Sequence, residues 1–83
     1  MTREQIFAVV RSNILNILDD VQADAISEDV SLSDLGADSL QIVEVVSRSM
    51  KELRLKVRRT ELSRATNLSD LLDLFEDAAA ERA

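Results

Sequence analysis

Three times in this chain a capping pair spaced by three residues stands at the head of an apolar run of helical period, and no other feature constrains the fold as tightly. Thr2 with Gln5 leads into Ile6, Val10, Ile14, Ile17 and Leu18; Asp38 with Gln41 into Leu40, Val43, Val46, Met50 and Leu53; Asn67 with Asp70 into Leu68, Leu71, Leu72 and Phe75. Such a pair satisfies amide donors that the first helical turn leaves without partners. The spacing predicts a first helix from about Arg3 to Asp19, a second beginning at Ser39, and a last helix from about Asn67 that fades into the tail "EDAAAERA". Between the first two, Asp20 to Ala37 is acid-rich, and Val21, Ile26, Val30, Leu32 and Leu35 are too unevenly spaced for one helix, so this reads as a long ordered loop pinned by apolar side chains. After Leu53, "LRLKV" alternates at period two, which predicts a short extended connector, and Thr60 is placed to cap a short third helix over "ELSRA". The expected fold is all-α: a small four-helix bundle of three main helices plus one short helix, with a long loop between helices one and two.

Nothing rich in chain breakers divides the sequence, so residues 1–83 read as one domain, near the lower limit of what folds without staples. Hydrophobic residues make up 46% of the chain, yet only Phe7 and Phe75 are aromatic, so the core has to be built from Leu, Ile and Val. With no Cys there is no disulfide framework or thiolate metal site, and with no His there is no Ser-His-Asp relay and no common zinc ligand set. The chain is therefore expected to be no enzyme. The acids Asp19, Asp20 and Asp24 lack a calcium-loop pattern and read as a solvated surface, with no metal site. No signal peptide or apolar run of membrane-spanning length is present, which leads to the expectation of a soluble, cytoplasmic protein with no membrane partner.

Charge is divided unevenly. Residues 1–41 hold eight acids against Arg3 and Arg11, whereas Arg48, Lys51, Arg54, Lys56, Arg58, Arg59 and Arg64 cluster around only Glu52 and Glu61. A net charge of −6 and the absence of interleaved aromatic residues argue against nucleic acid as the partner of this cluster; a solvated face or a protein-docking surface fits better.

The stretch "LGADSLQIVEVV" places the only glycine, Gly36, three residues before Ser39, where the loop must turn into the second helix. A serine in a first helical turn has two readings. It is an ordinary member of a capping cluster with Asp38, or it is an attachment point, since free amide donors and the positive end of the helix dipole favour a phosphate there. A nucleophilic role fits poorly, because Gln41 stands where a G-x-S-x-G elbow needs glycine and no His is present to take the proton.

The string L-G-A-D-S-L strongly resembles the phosphopantetheine attachment motif of acyl carrier proteins, and the likeness extends over the chain through "DVSLSDLGADSL", "RRTELSRA" and "TNLSDLLDLF". The resemblance implies that Ser39 accepts 4'-phosphopantetheine from coenzyme A by the action of a separate phosphopantetheinyl transferase using magnesium. It further implies that Asp38 helps that transferase dock and that Leu40 packs beside the arm. The thiol of the arm would hold acyl groups as thioesters for an acyl-loading enzyme, a ketosynthase or other pathway enzymes. Helix two is the family's docking surface, and Gln41, Glu44, Val45 and Arg48 are the residues expected to present it here. Fatty-acid carriers tend to have a strongly acidic second helix, whereas here Gln41 replaces an expected acid and Arg48 and Lys51 add positive charge. With the connector and third helix, this resembles polyketide-synthase carriers, although the proline those often have near Arg58 or Arg59 is missing. The expected role is a freestanding, monomeric carrier in polyketide-type assembly. A peptidyl or aminoacyl carrier, a fatty-acid carrier and a helical interaction module with an accidental Asp-Ser-Leu remain the alternatives. Val43, Val46, Met50, Leu53, Leu71, Leu72 and Phe75 are expected in the core, with one or two apolar neighbours of Ser39 exposed.

Overall fold

The computed structural model describes residues 1–82. Four α-helices follow one another, α1 (Arg3–Ile17), α2 (Ser39–Leu53), α3 (Arg59–Leu62) and α4 (Leu68–Arg82), with one 3₁₀ turn at Ala23–Ala25 in the long loop. The all-α bundle of three long helices and one short one matches the sequence expectation. Among the described residues, no helix is long and apolar enough to cross a membrane.

The expected caps form. Thr2 Oγ1 accepts from the Gln5 amide at 3.1 Å while Gln5 Oε1 accepts from the Thr2 amide at 2.8 Å, and Asn67 Oδ1 accepts from the Asp70 amide at 2.9 Å. Three boundaries differ from expectation: α4, expected to fade into the tail, continues as helix to Arg82. α1 ends at Ile17, because Leu18 turns extended to bury its side chain and Asp20 takes φ 61°, which sends the two aspartates outward. α3 starts one residue before Thr60, with Arg58 in the cap position and no side-chain capping bond.

Ile6, Val10 and Ile14 of α1, Val45 and Leu53 of α2, and Leu68, Leu71, Leu72 and Phe75 of α4 form the buried core. Ile26 and Leu32 of the long loop and Leu55 of the connector close it. Each such side chain contributes about 1.5–3 kcal/mol of transfer free energy, and this aliphatic inventory supplies the driving force that two aromatic residues cannot.

The contact of α1 with α2 also carries a buried polar pair. Asn13 Nδ2 donates to Ser49 Oγ at 3.1 Å and to the Val9 carbonyl at 3.1 Å, and Ser49 Oγ donates to the Val45 carbonyl at 2.8 Å. A polar residue inside the apolar stripe of α1 was the sequence signal for this pair. Its burial is tolerable because both side chains find partners.

Arg3 ties the start of α1 to the loop and to α4. Its guanidinium pairs with Glu28 at 2.6 Å, with Asp73 at 2.7 Å and with Glu76, and these hydrogen bonds push its pKa up. The loop is stitched to α4 by its backbone as well, the Leu68 and Ser69 amides donating to the Val30 and Glu28 carbonyls at 2.9 Å each. At the other end, α2 finishes on Arg54 in a left-handed conformation with φ 56°, and Arg82 of α4 donates to the Leu53 and Arg54 carbonyls. A cation on terminal carbonyls offsets the dipole at that helix end.

Candidate functional site

The approach to α2 is built within eight residues. Ser31 and Asp34 exchange hydrogen bonds, the Ser31 amide to Asp34 Oδ2 and the Asp34 amide to Ser31 Oγ, each at 3.0 Å, and nucleate a single turn. Gly36, at φ 93°, ends the turn in a conformation that β-carbon-bearing residues rarely adopt. The Leu35 and Ala37 amides both close on the Leu32 carbonyl at 3.1 Å, with Leu32 buried beneath. The loop thus delivers Asp38 in a fixed position at the head of α2.

Asp38 and Gln41 then form a complete capping box. The Gln41 amide donates to Asp38 Oδ1 at 2.8 Å, and the Asp38 amide to Gln41 Oε1 at 3.0 Å. The Ile42 amide makes the first helical bond, to the Asp38 carbonyl at 2.9 Å. The amides of Ser39 and Leu40 precede that bond, so the helix itself offers them no acceptor. Ser39 is exposed in this first turn, on a rigid helix start, with Leu40 beside it 74% exposed. A phosphodiester on the Ser39 hydroxyl fits this setting, since its anion meets amide donors and the positive helix terminus and its remainder leads into solvent.

The structure brings together Asp38, Ser39, Leu40 and Gln41. Glu44 and Arg48 lie exposed further along α2. Val45 does not belong with them: it is fully buried on the side that faces α1, one turn before Ser49, and the expectation that it helps present a docking surface is corrected by that burial. Val43, expected in the core, is 59% exposed. It joins Leu40 as the second apolar neighbour of Ser39 on the outer side of α2.

Beginning at Ile42 and Val43, an open groove of about 680 Å³ runs between α2, α3 and the start of α4. Ile42, Val46 and Met50 form one wall, and Val57, Leu62 and Leu71 contribute to the other sides. Ser33, Ser47, Ser63 and Arg59 add polar groups to this apolar lining. Val57 and Leu62 were not singled out in the sequence; the period-two alternation of the connector was the signal that Val57 points inward.

Comparison with known proteins agrees with this geometry. Residues 8–75 match the family described as "Phosphopantetheine attachment site". The polyketide biosynthesis acyl-carrier-protein AcpK of Bacillus subtilis (strain 168) is 31% identical over 77 residues, covering 93% of this chain and 94% of that protein. An acyl carrier protein of Thermotoga maritima is 32% identical over 75 residues, covering 90% and 93%. Among solved structures, a chain of the crystal structure of the curacin biosynthetic pathway HMG synthase in complex with acetyl donor-ACP superimposes with a TM-score of 0.80 at 32% identity, over 95% of this chain and 99% of that one. The chain belongs to the acyl carrier proteins, the family built around a phosphopantetheine attachment site.

Proposed function

We propose that this protein is an acyl carrier of specialised, polyketide-type biosynthesis and that Ser39 bears its 4'-phosphopantetheine arm. The observation that carries the assignment is the exposed hydroxyl of Ser39 in the first turn of α2, held between a complete capping box and two outward apolar side chains. In the transfer from coenzyme A, the Ser39 Oγ–phosphorus bond forms as the pyrophosphate bond breaks. Adenosine 3',5'-bisphosphate leaves, and the hydroxyl proton passes to the transferase. The arm, once attached, supplies a thiol on which acyl groups are held as thioesters.

This chain's own residues position and present. Asp38 fixes the helix start and offers a carboxylate oxygen to the transferase; Leu40 and Val43 give partner enzymes an apolar contact; Glu44 and Arg48, with the exposed side of Gln41, give that contact its polar border. Residues 1–83 act as one carrier domain, monomeric between encounters, delivering cargo rather than transforming it. A tethered acyl group meets each enzyme at high effective concentration.

The polyketide-type reading is supported by the likeness to AcpK and to the curacin-pathway carrier, and by cations on the second half of α2 where an acidic helix would suit fatty-acid enzymes. The likeness to the Thermotoga acyl carrier protein keeps a fatty-acid role as the second reading. The test is intact-protein mass spectrometry after incubation with coenzyme A, magnesium and a broad-specificity phosphopantetheinyl transferase. The wild type should gain one phosphopantetheine and Ser39→Ala none; a folded wild type that gains nothing from several transferases overturns the assignment. Pulldowns with fatty-acid synthase enzymes should recover little of the arm-bearing protein, and tight binding there would favour the second reading.

A further inference from the structure

The cations of the middle segment have no ion-pair partner among the described residues. Among the described residues, the ion pairs all involve Arg3. Arg48, Lys51, Arg54, Lys56, Arg58 and Arg59 are exposed, and none of them comes within 4.0 Å of a carboxylate of the described residues. Glu44 and Glu52, the acids on α2, leave Arg48 and Lys51 without an ion pair.

These side chains also share one part of the surface. Arg48 and Lys51, three apart on the outward side of α2, are helix-surface neighbours. Arg54 ends that helix, and only the short connector carrying Lys56 separates it from Arg58 and Arg59 at the start of α3. α3 is itself folded back across the groove from α2, with Arg59 and Ser47 both on the groove lining.

We infer that the outer half of α2 and the start of α3 form a basic docking face that receives an acidic patch on a partner enzyme. This rests on the carrier reading and names the chemistry of the partner's side. A protein fits better than an extended polyanion. The molecule measures only 36 × 24 × 21 Å, and its other surfaces hold most of the acids that make the net charge −6. A nucleic-acid strand or an anionic membrane running past the patch meets that acidic surface within a few Debye lengths of about 8 Å each. A bounded acidic patch on a folded enzyme engages six cations of residues 48–59, among which Glu52 is the one acid, with Glu44 and Glu61 at the border. The apolar pair Leu40 and Val43 continues the same outward side of α2 toward Ser39, so a partner seated on the cations covers the attachment end as well. Charge complementarity of this kind sets encounter rate and partner choice.

The test uses the 83-residue protein labelled with ¹⁵N, in wild-type and Ser39→Ala forms, titrated at low salt with a short poly-glutamate peptide, a DNA duplex, or vesicles of phosphatidylcholine and phosphatidylglycerol. The peptide should shift amides of residues 48–59 and leave those of residues 2–30 in place. The triple variant Arg48→Gln, Lys51→Gln, Arg59→Gln should weaken peptide binding about tenfold, each exposed charge pair being worth a few-fold. Arg11→Gln, a cation on α1 stacked over Phe7 at 4.5 Å, should leave it unchanged. Unmoved amides in 48–59, equal binding by the triple variant, tighter binding to duplex or vesicles, or self-association of the protein would each overturn the inference. Ser39→Ala retains the patch, so failure here leaves the mass-spectrometric result standing, and a failed arm transfer leaves this titration readable.

Discussion

α2 and α3 face each other across the same groove, yet they are held by different means. α2 begins on a reciprocal capping box, buries Val45, Ser49 and Leu53, and is keyed to α1 by the Asn13–Ser49 pair. α3 has four residues, a cap position filled by Arg58 without a side-chain bond, and no fully buried member. A four-residue helix cannot repay its own nucleation, so α3 exists only because Val57 and Leu62 are set against the groove. The difference teaches where rigidity is placed in a carrier. The serine-bearing helix start is fixed by local chemistry and by the core, while the opposite wall is held by a few partly buried contacts.

The largest expected contrast comes from placing a carboxylate behind each wall. Val45→Asp buries an unpaired charge and should remove roughly 3 kcal/mol or more, enough to unfold much of a small domain, because desolvation has no compensating partner there. Leu62→Asp should cost about 1 kcal/mol or less, as the side chain can turn into the open groove. Urea denaturation followed by circular dichroism measures both, and equal losses would mean that α3 is as integral to the core as α2.

A smaller contrast lies at the caps. Asp38→Ala removes the acceptor for the Gln41 amide and should destabilise by about 1 kcal/mol, whereas Arg58→Ala should change stability by less than ~0.5 kcal/mol. The same denaturation midpoints decide this, and a large Arg58 effect would reveal a tie at the start of α3 that the hydrogen bonds do not show.

The smallest effect concerns the segment that anchors the far end of α3. The Thr66 amide and hydroxyl donate to Asp70 Oδ2 at 2.9 and 2.8 Å, and these bonds hold the Asp70 pKa below the ordinary 3.8. A carboxylate whose folded pKa is depressed adds stability above its unfolded value and loses it as pH falls through the folded value. Melting temperatures of the wild type and Asp70→Asn should therefore differ slightly at neutral pH and converge in acid below 3.8. A difference that persists to the lowest pH at which the protein folds would assign the effect to the shape of the side chain rather than its charge.

Much of this was legible in residue order because it is local. Capping pairs act over three residues, so Thr2, Asp38 and Asn67 marked the starts of α1, α2 and α4, and L-G-A-D-S-L marked the attachment motif with its turn. The loop's inner turn was less legible. Ser31 and Asp34 repeat the capping spacing, but the turn they nucleate ends at Gly36, too short to leave a periodic run.

What the residue order left open was the side on which α2 meets the core. Leu40, Val43, Val46, Met50 and Leu53 form one apolar stripe, and Ile42, Val45, Val46, Ser49 and Leu53 form another, roughly a quarter turn away. Burial of Val45, Ser49 and Leu53 and exposure of Leu40 and Val43 show that the second faces α1. Hydrophobic periodicity cannot separate two overlapping stripes, because burial rewards either. The choice falls to pairwise fit, in which Asn13 of α1 needs a buried hydrogen-bond partner and Ser49 supplies it. The sequence by itself determined the helices, the starts of the three long ones and the serine at the head of the second; the tertiary structure alone decided that Val45 belongs to the core and that Leu40 and Val43 stand beside Ser39 in solvent.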